Sequence, residues 1–465
     1  MDKPWLILGD FNSILPVDEK KGGRNPLSSS IRDFQDCIDL CGLLQAPKSG
    51  LEFSWCNGRV GNKRILCNLD RALFNLKWLK TFNGWHYHVG TRGISDHGPL
   101  IRSNTIIPRA SNIPFRFQKM CLNHPYFLQI MCESWNEDID GNPIFVFMNK
   151  LKRLKKILKI WNWEVFGDVN VKLKNVEDKV METTLNYDKD PYDIYLLHSL
   201  VVARGEYEIA ANNYNTFLRD RARINWIKDG DINSKFFHTN IKLRQAQNSI
   251  AEIEDPSGNI ITNQKGITDV LIDHFSKKFE HHHVQISDSI FDDVPQVISD
   301  DDNSILEAVP DFSEIKNVVF EINQDGAPGP DGFNGAFYRN AWDIISKDLV
   351  EAITFCWSTK LIPSGMNSNF LVVIPKIKGA KHAKKFRPIG LSNFFFKIIT
   401  KIITIRLSRV IHKVVSQQQC AFIKNKNIHE QVLLASEMIN EMSITIRGGN
   451  LGLKLDISQA YDTLS

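Results

Sequence analysis

Apolar residues in the first hundred positions change their spacing repeatedly, which predicts short strands alternating with helices. The run "WLILGDFN" predicts a strand that ends at Asp10, and "IRDFQDCIDLCGLL" carries apolar residues at helical spacing from Ile31 to Leu43. The segment "GLEFSWCNG" alternates like a strand and ends in an Asn-Gly turn. The proline-containing "SNTIIPRASNIPFRF" then predicts a linker.

From about residue 120 to 225 the spacing becomes helical. One apolar stripe steps by four and three residues through Phe147, Leu151, Leu154, Leu158, Trp161 and Val165. A second stripe runs through Leu197, Leu200, Tyr207, Ala211, Tyr214 and Leu218, interrupted at Arg204. We predict two long helices, joined through "NYDKDPYD" into an antiparallel pair. The first helix also has a lysine-rich face, which either tracks nucleic acid or is an ordinary exposed face.

Residues 226–310 have a mixed pattern. It predicts a hairpin at "EIEDPSGNIIT", a helix at "ITDVLIDHFSKKF" and an acidic loop at "VISDDDNSILEAVPDF". Beyond Asp311 a helix is expected to end in "QDGAPGPDGF", followed by a strand, a basic loop, a strand and a helix. The last segment, "LGLKLDISQAYD", alternates as a strand that carries Asp456.

Composition limits the classes of protein to consider. A chain of 465 residues is too long for one typical domain, and no run of about 18 apolar residues predicts a membrane span. The eight cysteines are scattered, which predicts reduced core cysteines in a cytoplasmic or nuclear protein. The "HHH" at 281–283 has no second ligand cluster nearby, so no metal site is expected there.

Charge is distributed unevenly although the net charge is only +4. Residues 352–429 contain fourteen lysines and arginines and no aspartate or glutamate. Such a surface suits a polyanion, because phosphates neutralised by lysine and arginine release their counterions. A solvated basic face is the alternative interpretation.

Five polar residues of the N-terminal region suit hydrolysis of a phosphodiester: Asp10, Asn12, Asp70, Asp96 and His97. Carboxylates hold a divalent cation or orient water, while an amide and an imidazole can contact phosphate oxygens. Each short motif alone is weak evidence for such an activity, whereas the ordered set is much stronger evidence.

The series "LILGDFNSIL … EKKGG … FSWCNG … LDRALFN … SDHGPLI" resembles the C-terminal part of the exonuclease–endonuclease–phosphatase fold, and specifically the apurinic-type endonuclease of plant LINE retrotransposons. The resemblance implies that Asp10 activates water, Asn12 holds the phosphate and His97 contacts it. Asp70 would fix the tautomer of His97, and Asp96 would be an acid on the metal side. The family's metal-binding glutamate lies on strands upstream of the segment that corresponds to "GDFN".

A second ordered set, "GAPGPDGF … VIPKIKG … FRPIGLSNFFFKIITKII … QQCAFIKNKNIHEQVLL … LKLDISQAYD", resembles the fingers and early palm of LINE reverse transcriptases. The resemblance implies that Asp456 binds catalytic magnesium, that Tyr461 excludes ribonucleotides and that Lys376 and Arg387 contact the triphosphate. The family has Gly-Arg where this chain has Asn425 and Lys426. "RARINWIKDGDINSKFFH" resembles the block that links the two enzymes in plant LINE polyproteins.

These features predict an α+β multidomain chain. Residues 1–104 would form part of an endonuclease β-sandwich, 105–310 a largely helical linker region, and 311–465 the fingers and early palm of a reverse transcriptase. RNA template, DNA target, deoxynucleoside triphosphates and Mg²⁺ are the implied partners and cofactor, with no membrane.

No aromatic–X–Asp–Asp motif follows Asp456. We therefore expect a polyprotein fragment, truncated at both ends, with both metal sites incomplete and with no activity as this chain. A residual metal-dependent nuclease and a non-catalytic nucleic-acid-binding protein are the alternatives. A purely structural protein would leave both ordered motif sets unexplained.

Overall fold

The computed structural model describes most of the chain. The described residues are 3–104 except 83, 84 and 94, then 113–222, 250–280, 295–377, 380–415, 426–442 and eight isolated positions (237, 241, 244, 248, 292, 419, 423 and 451). Contacts divide the chain into two units: 1–113 with 214–277 and 371–389, and 114–213 with 278–370 and 390–465. Within the described ranges, no helix has the length and apolar character needed to cross a membrane.

The strands are short. They are β1 (Leu6–Asp10), β2 (Lys20–Lys21), β3 (Leu43–Gln45), β4 (Lys48–Gly50), β5 (Trp55–Cys56), β6 (Leu66–Cys67), β7 (Asp70–Asn75), β8 (Trp85–Val89), β9 (Leu100–Asn104), β10 (Ile253–Glu254), β11 (Ile260–Ile261), β12 (Asn369–Pro375) and β13 (Phe386–Ser392).

The helices are longer and lie mainly in the second unit. They are α1 (Ser28–Leu40), α2 (Leu76–Thr81), α3 (Phe127–Trp135), α4 (Pro143–Val165), α5 (Val169–Lys189), α6 (Ile194–Ala222), α7 (Gln264–Lys278), α8 (Asp300–Glu307), α9 (Phe312–Glu321), α10 (Gly335–Asn340), α11 (Trp342–Thr359), α12 (Phe394–Val414) and α13 (Ile428–Glu441).

Strand β7 organises the first unit. It pairs antiparallel with both β1 and β3, while separate sheets have the orders β2-β6-β5 and β4-β8-β9. Successive side chains of a strand face opposite sides. Phe74 of β7 therefore packs with Tyr87 of β8 in one apolar core, whereas Leu73 packs with Ile38 of α1 on the other side. The resulting helix and sheet layers are α+β, and the partial nuclease-type sandwich stays a prediction.

A second apolar core in this unit joins segments that are distant in sequence. Ile253 of the hairpin β10–β11 packs with Leu271 and Phe275 of α7 and with Phe386 of β13. The predicted hairpin and helix are confirmed. The contact units combine segments that are discontinuous in sequence and do not test the predicted domain limits at 104 and 310. Those limits stay a prediction.

Two local predictions were wrong. Helix α1 ends at Leu40, because Gly42 adopts a positive φ of 60° and the chain turns into β3, where Leu43 is buried. The expected acidic loop contains α8, since Ser299 and Asp302 form a reciprocal capping box at its start. Three aspartates in its first turn also suit the positive end of the helix dipole.

The middle region has three long helices where two were predicted. Gly167, with φ of 56°, separates α4 from α5, and the Asp168 carboxylate caps α5 by accepting hydrogen bonds from two backbone N–H groups. An ion pair of 2.6 Å between Lys179 and Glu206 joins α5 to α6. On α6 Ala203 is buried and Arg204 is exposed, so Arg204 does not lie on the buried seam. Leu197 and Tyr207, which were predicted to lie on it, are exposed.

The described cysteines are free. Cys56, Cys67, Cys121 and Cys356 are buried as predicted, but Cys37 and Cys41 are exposed on and just after α1. The prediction of core cysteines is therefore wrong for that pair. Their spacing of four places them on one helix face, and this face is turned to solvent.

In the second unit, the Gly- and Pro-rich loop after α9 is held by Asn393, just before α12. The buried amide of Asn393 accepts from the Asp331 N–H at 3.0 Å and donates to the carbonyls of Gly365 and Met366, both at 3.2 Å. A Cβ on Gly329 would lie 2.4 Å from the Asn393 nitrogen. The glycine therefore allows two backbone segments to touch.

We expect Asn393→Ala to lower the free energy of unfolding of the second unit by about 1–3 kcal/mol, since it leaves buried backbone groups without partners. Chemical denaturation followed by circular dichroism measures this. Asn317→Ala, at an exposed position of α9, is the matched control and should be near neutral. Equal stability of the two variants would contradict the proposed role of Asn393.

Candidate functional site

Pairing of β1 with β7 brings together the first two predicted site residues. In the antiparallel register Asp10, the last residue of β1, lies opposite Asp70, the first residue of β7. The Ser54 hydroxyl fixes this end of β7, because it accepts hydrogen bonds from the N–H groups of Leu69 and Asp70 at 3.0 and 2.9 Å. Two carboxylates from distant parts of the sequence therefore share one sheet edge.

His97 completes this group. Its Nδ1 lies 2.8 Å from Oδ2 of Asp70, and its Nε2 lies 4.0 Å from Oδ2 of Asp10. The first distance is a hydrogen bond in which Nδ1–H donates to the carboxylate, so the tautomer leaves Nε2 facing Asp10. The second is too long for a direct hydrogen bond and suits a shared third group.

The same contacts change the titration of His97. Burial alone would lower its pKa, but the hydrogen bond and charge of Asp70, together with the charges of Asp10 and Asp96, raise the pKa above its ordinary value. The pair therefore contributes stability that is present below the unfolded-state pKa of histidine and is lost as pH rises through the raised folded-state value.

Asn12 and Asp96 lie close in sequence to this group. Asn12 is exposed and adopts a left-handed backbone with φ of 48°, and its N–H donates to Oδ1 of Asp10 at 2.8 Å. Asp96 accepts from the indole N–H of Trp55 at 2.9 Å, and its carbonyl accepts from the Cys56 N–H at 3.0 Å. A further backbone bridge joins Trp55 to His97. Sequence analysis missed Trp55, whose partner is 41 residues away.

A polar network missed by sequence analysis supports the loop between Asp10 and β2. The fully buried Arg71 pairs with Glu19 at 3.0 Å and donates to the Ser13 carbonyl at 2.7 Å. Glu19 accepts from the Leu15 N–H at 2.8 Å, which ties the same loop. Lys48 joins the network through Asn68, and burial lowers the Lys48 pKa to about 8.

The described acidic and histidine side chains of this group are not arranged as a metal-binding site. Within the ranges that the structure describes, no group of three or more histidine, cysteine or acidic side chains has the arrangement of a metal site. One oxygen of Asp70 is bonded to His97 and one oxygen of Asp96 is bonded to Trp55. The metal-side role of Asp96 stays a prediction.

A basic surface adjoins Trp55. The loop 57–64 after β5 is held by Asn57, whose side chain donates to the Lys63 carbonyl at 2.9 Å and accepts from the Ile65 N–H at 2.9 Å. Its cations Arg59, Lys63 and Arg64 are exposed, and the loop contains no acid. Nucleic-acid phosphates are the chemical complement of such a loop.

Of the predicted triphosphate contacts, Arg387 lies on β13, and Lys376 directly follows β12, the strand that pairs with β13. Arg387 is exposed between buried neighbours of β13, and its side chain has no recorded hydrogen bond or ion pair to a described residue. Lys376 is fixed through its backbone N–H to the Lys385 carbonyl at 2.8 Å, and its ammonium lies 3.2 Å from the Lys384 carbonyl. The remaining predicted residues, Asp456 and Tyr461, and also "HHH", lie outside the described residues.

Comparison with known proteins finds two similarities. Residues 374–465 match the family model "Reverse transcriptase (RNA-dependent DNA polymerase)". The chain is also 23% identical over 481 residues to the uncharacterised 149 kDa protein of transposon TX1 from Xenopus laevis. That match covers 99% of this chain and 36% of the relative, so the chain spans about a third of the relative's length.

The two matches support a retrotransposon protein with a reverse transcriptase segment. Reverse transcriptases generally use a divalent metal, commonly Mg²⁺, and they take a nucleic-acid template and nucleotide substrates.

We expect Asp70→Asn to lower the pKa of His97, because the substitution removes the charge that raises it. Titration of the histidine ring signals by NMR in the full chain measures this directly. His198→Ala, at an exposed position of α6, should leave the titration of His97 unchanged. An unchanged His97 pKa in the Asp70→Asn variant would contradict the described geometry.

Proposed function

We propose that this chain carries the target-nicking endonuclease and the RNA-directed DNA polymerase segments of a LINE-type retrotransposon polyprotein, of the kind found in plants. The polymerase assignment is supported by the match of residues 374–465. The endonuclease assignment is supported above all by the His97–Asp70 hydrogen bond beside Asp10. The expectation that this polypeptide alone is inactive as a polymerase stays a prediction.

In the proposed nuclease site, Asp70 orients His97 so that Nε2 faces the scissile phosphate. The charged form of His97, favoured by its raised pKa, stabilises negative charge that develops on the phosphate oxygens. Asp10, whose Oδ2 lies 4.0 Å from Nε2 of His97, orients or deprotonates the attacking water. Asn12 donates to a phosphate oxygen, and the loop 57–64 contacts the neighbouring phosphates of the strand.

Trp55 is a positioning residue in this proposal. Its indole N–H holds the Asp96 carboxylate, and its backbone bridges to His97. Trp55 and Asp96 therefore position His97 relative to β7. The network of Arg71 and Glu19 acts in a similar way on the loop that carries Asn12.

Nicking of supercoiled plasmid by the full chain tests the nuclease proposal. In buffer containing magnesium chloride, we expect His97→Ala or Asp10→Asn to lower the rate by about 10²- to 10⁴-fold, because each removes a group that acts on the reacting atoms. His198→Ala is the matched control, and its rate should equal that of the unchanged chain. Nicking that survives in His97→Ala would show that another site is responsible.

For the polymerase segment we propose that Lys376 and Arg387 bind the triphosphate of the incoming nucleotide. A planar guanidinium matches two phosphate oxygens, whereas an ammonium is a point charge. We therefore expect Arg387→Ala to weaken binding of a deoxynucleoside triphosphate by about tenfold or more, with Arg387→Lys intermediate.

Isothermal titration of the full chain measures this affinity. Arg409→Ala is the matched control, since Arg409 is an exposed cation of α12 in the same acid-free stretch. An equal loss of affinity in the two alanine variants would indicate nonspecific charge and would contradict the assigned contact.

A further inference from the structure

Helix α4 presents a regular stripe, exposed at every position except the half-buried Asn149, that neither proposed activity uses. The stripe repeats at steps of four and three residues and consists of Phe145, Asn149, Lys152, Lys156, Lys159 and Trp163. At 3.6 residues per turn these positions lie along one face. The opposite face of the helix is buried in the core of the second unit through Phe147, Leu151, Leu154 and Leu158.

The other cations of α4 differ from the lysines of the stripe because their charges have partners. Lys150 pairs with Asp348 at 2.9 Å, Arg153 pairs with Glu137 at 2.9 Å, and Lys155 donates to the Pro330 carbonyl at 3.1 Å. These contacts attach α4 to its neighbours.

By contrast, the structure records no ion pair or hydrogen bond, to any residue it describes, for the side chains of Lys152, Lys156 and Lys159, and all three are exposed. From 143 to 163 the helix contains no acid. Its three unpaired charges span about 10 Å along the axis. Repulsion among them costs free energy that a polyanion would recover.

An aromatic ring lies at each end of the lysine row. Phe145 is 51% and Trp163 is 70% exposed, and their positions are about 27 Å apart along the axis. Exposed rings in line with cations are the combination that binds single-stranded nucleic acid, since bases stack on the rings while phosphates meet the ammonium groups. A duplex offers no unstacked bases to these rings.

We propose that this face of α4 binds single-stranded RNA. Lys152, Lys156 and Lys159 neutralise consecutive phosphates, and Trp163 and Phe145 each stack on a base. We assign RNA and not single-stranded DNA to this face because residues 374–465 match an RNA-dependent DNA polymerase family. None of its residues belongs to the proposed nuclease site or to the proposed triphosphate contacts, so failure of either proposed activity would leave this proposal intact.

Binding of a fluorescent 20-nucleotide RNA to the full chain at several salt concentrations tests the proposal. We expect the triple variant Lys152→Gln, Lys156→Gln, Lys159→Gln to bind more weakly. The slope of log affinity against log salt should fall by about 2, since each lost phosphate contact on a single strand contributes about 0.7. Trp163→Ala should weaken binding by about 5- to 150-fold with an unchanged salt slope.

The matched control is the triple variant Lys174→Gln, Lys189→Gln, Lys347→Gln. It removes the same charge from exposed lysines of the same unit and should keep the salt slope of the unchanged chain. Equal losses in the two triple variants, or no loss in the α4 variant, would overturn the proposal. The proposal would also be overturned if the α4 triple variant kept its binding to RNA but lost binding to single-stranded DNA of the same sequence or to anionic lipid vesicles.

Discussion

The antiparallel pairing of β1 with β7 is the constraint on which the candidate nuclease site depends. Strand side chains alternate between two faces, so a slip of one residue would move Asp10 and Asp70 away from their shared edge and would also turn Phe74 out of the core. Core packing and site geometry therefore fix the same register. Once the register is set, His97 needs only the backbone bridge to Trp55 to reach both carboxylates.

Buried polar groups play a similar part in both units. Arg71 is fully buried and is compensated by Glu19 and by backbone carbonyls, as a buried charge requires. Asn393 in the second unit connects three backbone segments around the Gly- and Pro-rich loop. In each case one side chain with several partners holds irregular backbone that regular hydrogen bonding cannot fix.

Elements with an unbroken apolar period could be predicted from the sequence. Elements whose limits depend on the backbone conformation of one residue or on a long-range contact were predicted wrongly. The stripe of α4 was predicted correctly because Phe147, Leu151, Leu154 and Leu158 keep the period of a helix. Its end at Gly167 was missed, since the positive φ of one glycine does not alter the apolar spacing.

The residue types of the candidate nuclease site could be named from the sequence, and the structure brings Asp10, Asp70 and His97 together. The contact of Trp55 with Asp96 and the pairing of Glu19 with Arg71 join residues 41 and 52 positions apart. No local pattern indicates contacts over such separations. The face of α4 remained ambiguous for a related reason, because only the fold shows which of its lysines already have partners.

The pH dependence of single-turnover DNA cleavage tests the proposal that Asp70 acts through His97 on the phosphate. We expect Asp70→Asn to move the limb of the profile that belongs to His97 to lower pH, because the pKa of the imidazole falls. A profile that loses amplitude while every limb keeps its position would contradict this proposal.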